Sequence, residues 1–338
     1  MFGSRKKVKE TFGLDMGSHS IKVASVIKEA DKPLLTACNI KKIPSGDEKS
    51  VKIGKLIGEA FSEVGASPVD VNLSISGSNV IVRFITLPKM NKAQLENAMI
   101  FEAERYIPFN VSEVILDFII LDDAAEGQMN VLLAAAKRDF IQSQVDLFRK
   151  IGLNVNLIDV SAFALFNAFM LSNELPGDKG VAFLDLGHSQ TNVLVVTGGM
   201  PRFMRVVQIG GGDITRAIIE ETGLTNDKAE ELKATGGGEF SEKVKQATVE
   251  VLDELVKEMQ LSFGYFENKY SIPVSNIYCS GGMIYQAGVV EYLQEKLGIG
   301  IQKWSPIDGI AIAENIPRES IDPVAQQIAV SIGLAIRE

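Results

Sequence analysis

Cysteine and histidine are scarce in this chain, with two of each in 338 residues. Cys38 and Cys279 lie far apart and in no metal-ligand spacing, which excludes an iron–sulfur or zinc motif and fits a reducing cytoplasm. No apolar run is long enough to span a bilayer, and no secretory signal precedes the first strand. Basic residues are outnumbered, 34 against 43 acidic ones, for a net charge of −9. Such a balance argues against nucleic acid as the main partner. The one basic cluster, Arg5-Lys6-Lys7 with Lys9, is short and reads either as a solvated tail or as a contact for anionic lipid. With 46% hydrophobic and 23% charged residues, the chain is expected to be globular, and it is long enough for two domains with sizeable cores.

What is present is a pattern that occurs twice. Phe12-Gly13-Leu14-Asp15-Met16-Gly17-Ser18-His19-Ser20-Ile21-Lys22-Val23-Ala24 reads as a strand, a tight glycine turn and a second strand. Such a turn aims backbone N–H groups at one point, which suits a phosphate. Asp15, at the strand end, suits a hydrated Mg²⁺, because hard cations prefer carboxylate and water oxygens. Taken alone, this stretch is equally an ordinary hairpin with an exposed Asp. The plan returns in Val181-Ala182-Phe183-Leu184-Asp185-Leu186-Gly187-His188-Ser189-Gln190-Thr191-Asn192-Val193-Leu194-Val195-Val196. Both histidines of the chain, His19 and His188, fall at the same place in the two copies. Two like units, one in each half, predict a duplicated fold with a ligand between the copies.

Other segments fill in the frame. A helix is expected over 50–64, then strands at 71–77 and 80–87. A helix at 92–107, strands at 114–121 and 129–136, and a helix at 139–151 with Asp139 as its N-cap make a small β-α-β-β-α unit. Residues 161–171 are nearly all apolar and predict a deeply buried helix. The polar, glycine-containing stretch 175–180 is the best domain boundary. Gly210-Gly211-Gly212 precedes a helix from Thr215, where glycine turns and anion-binding donors look alike. Glu230 and Lys233 share one face of a short helix, the usual spacing of a solvated ion pair. Gly281-Gly282-Met283 ends a strand ahead of a helix at 286–297. The closing helix, 323–336, carries a stripe of small apolar residues that predicts close packing on a sheet of the first domain.

Glycine turns at strand ends, two of them paired with Asp, resemble the actin-like ATPase superfamily over nearly the whole chain. Within it the chain is most similar to the pilus-assembly PilM and cell-division FtsA branch. That resemblance is carried by GLDMGSHSIKVA, LPKMNKAQLENAMIFEAERYIPF, the SGG at 280–282 and the closing IAVSIGLAIRE. It implies an α/β fold of duplicated actin-like (ribonuclease H-like) domains. The first would occupy 1–79 and 152–177, interrupted by an FtsA-type inserted α/β subdomain at 80–151. The second would occupy 178–338, with a helical subdomain at about 213–272.

The resemblance further implies ATP or ADP with Mg²⁺ as ligands. Asp15 and Asp185 would bind the metal, and Gly17, Ser18, His19, Ser20 and Lys22 the β-phosphate region. Gly187, His188 and Ser189 would meet the γ-phosphate, and Glu230 and Lys233 the adenosine. Gly211, Gly212, Gly281, Gly282 and Met283 would line the ribose and adenine. Asp159 would orient the attacking water, in a family whose hydrolysis is slow or undetectable. Histidines stand where small polar residues are common in both loops. The implied partner is the N-terminal cytoplasmic tail of the membrane protein PilN, with other pilus inner-membrane proteins and self-association also expected. The chain would then be cytoplasmic, reaching the inner membrane only through partners.

Two other functions compete. A small sugar-kinase-like phosphotransferase needs a substrate-binding catalytic Asp, and one compact class adds a Cys-rich zinc motif; neither is evident. An FtsA-like division anchor needs a C-terminal amphipathic membrane helix, but the sequence ends at Arg337-Glu338. The expectation is therefore a nucleotide-loaded scaffold of type IV pilus assembly.

Overall fold

A computed structural model describes residues 10–28, 32–44, 49–124 and 127–337; the basic cluster at Arg5, Lys6, Lys7 and Lys9 lies outside the described residues. The chain opens with β1 (Glu10–Met16), β2 (Ser20–Lys28), β3 (Pro33–Lys42), α1 (Lys49–Glu63) and β4 (Asp70–Ile75). It continues through β5 (Val80–Pro88), α2 (Lys92–Ala103), β6 (Val114–Asp123), β7 (Gln128–Lys137), α3 (Arg138–Lys150), β8 (Asn154–Val160) and α4 (Ser161–Phe169). Next come β9 (Gly180–Leu186), β10 (Thr191–Thr197), β11 (Met200–Val207), α5 (Gly211–Thr222), α6 (Asn226–Thr235) and α7 (Ser241–Tyr270). The last elements are β12 (Val274–Ser280), α8 (Val289–Leu297), β13 (Ile301–Gln302), β14 (Ala311–Ile312), α9 (Arg318–Ile321) and α10 (Ala329–Ala335).

Two sheets repeat one plan. In the first the order is β14-β3-β2-β1-β4-β8, in the second β11-β10-β9-β12-β13. Each holds an antiparallel meander whose first strand, β1 or β9, is flanked on its other side by a parallel strand, β4 or β12. The parallel neighbours demand crossover connections, and helices supply them. A third sheet, β5-β7-β6, holds the segment between β4 and β8, with α2 on one face through Leu95, Met99 and Ala103.

Strand periodicity explains the layers. In β9 and β10, Ala182, Leu184, Leu186, Val193 and Val195 enter the core shared with α5 and α7. The alternate residues Val181, Phe183, Leu194 and Val196 enter the core shared with α4 and α10. Successive side chains on a strand point to opposite faces, so a sheet covered on both sides reads as a continuous apolar run.

Helix α10 is the tightest joint. All seven of its residues are buried. A Cβ placed on Gly333 would stand 1.7 Å from the Ala164 carbonyl oxygen in α4, and one placed on Gly13 in β1 would stand 2.0 Å from that of Ser331. The small stripe therefore lets three backbones touch, and it seats α10 against β1 just below Asp15.

Several expected ends shift. The helix at 92–107 stops at Ala103, and Glu104 begins a turn ahead of Pro108. Lys137 rather than Asp139 holds the N-cap position of α3, and Asp139 lies in its first turn, where its charge suits the helix dipole. The helix expected from 286 starts only at Val289, after Gly288 at φ +82°, and a 3₁₀ turn, Gly282–Tyr285, precedes it. The closing helix splits likewise into a 3₁₀ stretch, Asp322–Gln327, and α10.

Candidate functional site

The two Asp-bearing loops face each other across one cleft of about 610 Å³. Each loop closes with the same bond: Gly17 N–H donates to the Ser20 carbonyl at 3.0 Å, and Gly187 N–H to that of Gln190 at 3.0 Å. Asp15 and Asp185 both line the cleft, each at the C-terminal end of its strand. Cross-strand pairing sets Lys22 opposite Asp15 and Asn192 opposite Asp185. Lys22 Nζ donates to Asp15 Oδ2 at 3.0 Å, and Asn192 Nδ2 to Asp185 Oδ2 at 3.1 Å. The parallel neighbour also contributes a serine on each side. Ser74 Oγ donates to Asp15 Oδ1 at 2.7 Å, while Ser280 lies in register with Asp185.

Charge is unevenly shared here. Burial, reinforced by the like charge of Asp15, raises the Asp185 carboxyl above its ordinary range, against the opposing pull of Lys22, Asn192 and Ser280. Burial alone would lower Lys22, but Asp15 and Asp185 outweigh it and hold the ammonium above its usual value. One lysine thus sits between two carboxylates.

Glycines bring the backbone close. A Cβ on Gly281, at φ +92°, would meet the Leu186 carbonyl oxygen at 2.4 Å and Asp185 Oδ1 at 2.9 Å. Gly211 N–H donates to the Gly187 carbonyl at 2.9 Å and Gly212 N–H to that of His188 at 2.6 Å, so the second loop leans on the start of α5. Lys233 Nζ donates to the Gly211 carbonyl at 3.0 Å, to Thr215 Oγ1 at 2.6 Å and to Glu230 Oε1 at 2.9 Å. Burial pushes the Glu230 carboxyl up, but the hydrogen bonds of Thr215 and Lys233, with the charges of Lys233 and His19, hold it below the usual range. Between the loops the rings of His19 and His188 stand 4.6 Å apart, tilted by 33°. Burial lowers the His19 pKa.

Most residues singled out in the sequence line this cleft: Gly17, Ser18, His19, Ser20, Lys22, Gly187, His188, Ser189, Gly211, Glu230, Lys233, Gly281, Gly282 and Met283. Gly212 stands behind His188, its would-be Cβ 2.7 Å from Nε2. Asp159 is not brought to the cleft. It lies on β8, two strands from β1, which at the usual strand spacing is roughly 10 Å from Asp15. Its Oδ1 accepts the Val160 N–H at 2.8 Å, and Arg337 Nε stands 3.5 Å from Oδ2. Sequence reasoning missed Ser74, Ser76, Gln190, Asn192, Thr215 and Ser280. Gln190 Nε2 donates to Ser76 Oγ at 2.7 Å, a bond from one sheet's edge of the cleft to the other's. Asn192 carried a readable signal, since it follows Asp185 by the same interval as Lys22 follows Asp15.

The family described as type IV pilus assembly protein PilM matches residues 13–338. Among solved structures the chain is similar to a PilM-PilN type IV pilus biogenesis complex, with a TM-score of 0.87 and 29% identity over 97% of this chain and 98% of that one. It is similar in fold to the ethanolamine utilization protein EutJ from Carboxydothermus hydrogenoformans, with a TM-score of 0.55 and 14% identity over 98% of this chain and 91% of that one. In sequence it is 22% identical over 346 residues to the cell division protein FtsA of Streptococcus pneumoniae, covering 87% of this chain and 75% of that protein. The fold is the actin-like one that the duplicated loops led us to expect.

Proposed function

The chain belongs to the type IV pilus assembly protein PilM family, and on that premise we propose that it is an ATP-binding scaffold whose nucleotide state sets the angle between its two halves. The observation that carries the nucleotide reading is the meeting of Asp15 and Asp185, from duplicated loops, in one cleft. Their oxygen donors fit Mg²⁺, with two carboxylates and the Ser74 hydroxyl beside Asp15, while the Lys22 ammonium suits a phosphate rather than the ion. Asp15 and Asp185 hold the ion. The glycine turns at Gly17 and Gly187 offer backbone N–H groups to phosphates, Lys22 adds a positive charge, and Gly281-Gly282-Met283 lies against the ribose and adenine. When bound, Mg²⁺ neutralises phosphate charge. No side chain of the cleft lining is assigned to activate water; Asp159 lies on β8, where Arg337 Nε stands 3.5 Å from its Oδ2. Conformation, rather than turnover, is the output.

The partner is the N-terminal cytoplasmic tail of PilN, in keeping with the solved complex that the chain resembles over nearly its full length. No helix among the described residues is long and apolar enough to cross a membrane, and in this proposal the inner membrane is reached through such partners. Helix α2, in the stretch that carries the family likeness, exposes Ile100 and Phe101 at 54% and 73%. We place tail docking on that apolar face. Division of the chain into a first domain at 1–79 and 152–177, an insert at 80–151 and a second domain from 178 is part of the same proposal. Pull-downs with immobilised pilus-protein tail peptides, with and without Mg·ATP, test it. Selective capture of the PilN peptide is expected, with a yield that changes on adding nucleotide; equal capture of unrelated tails would reject it.

A further inference from the structure

We propose that His19, His188 and Glu230 form a binding site for a late first-row divalent metal ion of the Zn²⁺ class, held between the two halves and separate from the Asp15 and Asp185 pair. This goes beyond the nucleotide reading and does not depend on it. The chain contains only two histidines. They come from corresponding places in loops 169 positions apart by number, 188 − 19, and their rings meet. One potential ligand atom from each, together with a carboxylate oxygen of Glu230, falls within 4.8 Å of the others.

Ordinary ring packing would explain two adjacent, tilted histidines, but not the carboxylate that joins them. Glu230 is prepared for the task. Its hydrogen bonds from Thr215 and Lys233 both fall on Oε1, so they orient the group through one oxygen. Such outer partners fix ligand geometry in metal sites. A neutral imidazole offers a lone pair, and the partly buried setting of His19 lowers its pKa and so favours that form.

Two imidazoles and one carboxylate suit Zn²⁺, Co²⁺ or Ni²⁺ better than Mg²⁺, which prefers oxygen alone. Ligand bonds of about 2.0–2.1 Å in a tetrahedron set donor atoms roughly 3.4 Å apart, so the three groups need to close by at most about 1.4 Å. Three protein ligands leave a fourth position open, the arrangement of sites that accept water or an outside oxygen. Thiols do not compete, since burial pushes Cys279 up to about 12 and Cys38 to about 11.

The test uses full-length, nucleotide-free protein carrying no polyhistidine tag. Zn²⁺ alone is titrated into protein labelled with ¹⁵N-histidine, so only two imidazole rings report. Both rings are expected to shift together and saturate at one equivalent, even with a large excess of Mg²⁺. His188→Ala and Glu230→Gln are expected to weaken binding by about 100-fold or more, beyond the loss seen for outer-sphere changes. Asp15→Ala is expected to keep it, which separates failure here from failure of the nucleotide reading. A ring that stays unmoved in the wild type, displacement by Mg²⁺, or unchanged affinity in folded His188→Ala would overturn the proposal.

Discussion

Adjacent glycines at the end of β12 should respond unequally to one added methyl group. Gly281 has φ +92° and ψ 173°, a region open almost only to glycine. Holding alanine there costs about 1–3 kcal/mol in backbone strain. The new Cβ also sits 2.4 Å from the Leu186 carbonyl oxygen, a backbone atom fixed in β9. Overpacking of this kind adds about 1–3 kcal/mol. Together they make a loss of roughly 3 kcal/mol or more, and at about 2 °C per kcal/mol for a chain of this size the melting point falls by roughly 6 °C. The strain reaches the site as well, because the same Cβ would be 2.9 Å from Asp185 Oδ1. Gly281→Ala should therefore also lose much of the thermal shift that Mg·ATP confers on the wild type. Gly282 is the control. Its nearest neighbour is Gln327 Oε1 at 4.0 Å, and its backbone lies outside the left-handed region. Gly282→Ala should stay within about 0.5 kcal/mol of wild type. Scanning calorimetry with and without Mg·ATP measures all of this. If the two variants melt together, the close-approach argument is wrong.

Three further changes probe the same reading. Asp15→Ala should weaken Mg²⁺-dependent ATP binding in calorimetry by at least about tenfold, or about 1.4 kcal/mol, and full retention of affinity would contradict the metal role. Lys22→Met removes the one cation facing two carboxylates. Because the Asp185 carboxyl is raised by burial and by Asp15, its contribution to stability is complete below the ordinary Asp range and is lost as pH rises through its folded value. Without Lys22 that value rises further, so the variant should lose more stability than wild type as pH rises above the ordinary Asp range, with a deficit of about 3 kcal/mol once the carboxyl is ionised; parallel stability–pH curves would remove Lys22 from the argument. Phe101→Asp, at a side chain 73% exposed, should leave the melting point within about 1 °C but reduce capture of the PilN tail peptide, and undiminished capture would move the docking face elsewhere.

What could be read in the sequence is what repeats locally. A strand, an Asp, a glycine turn and a returning strand lie within a few residues of each other, so Asp15 and Asp185 were visible as a pair, and with them the two histidines. The small stripe of α10 was visible for the same reason, since helix periodicity places it on one face. Ser74 and Ser280 were not, because each reaches its Asp only through the register of a parallel neighbour that returns after a long connection. The place of Asp159 shows the same limit. It stands at a strand end, as Asp15 does, but strand order sets it two places away, beside Arg337, and order between distant strands leaves no mark on local spacing.

Duplication alone does not make the two halves of the cleft equivalent. At the position opposite each Asp, the first half carries Lys22 and the second Asn192. A second lysine would have paired each carboxylate and left the site neutral, with little electrostatic demand for a divalent ion. A second asparagine would have left two carboxylates in one cleft with no lysine opposite either. One of each leaves more negative than positive charge at the site, and burial together with the nearby Asp15 raises the Asp185 carboxyl. The asymmetry is thus a physical reason for the cleft to take up a cation, and a cation in turn draws a phosphate. The same duplication brings His19 and His188 together without any such asymmetry, which is why their meeting point suits an ion that wants two equal ligands.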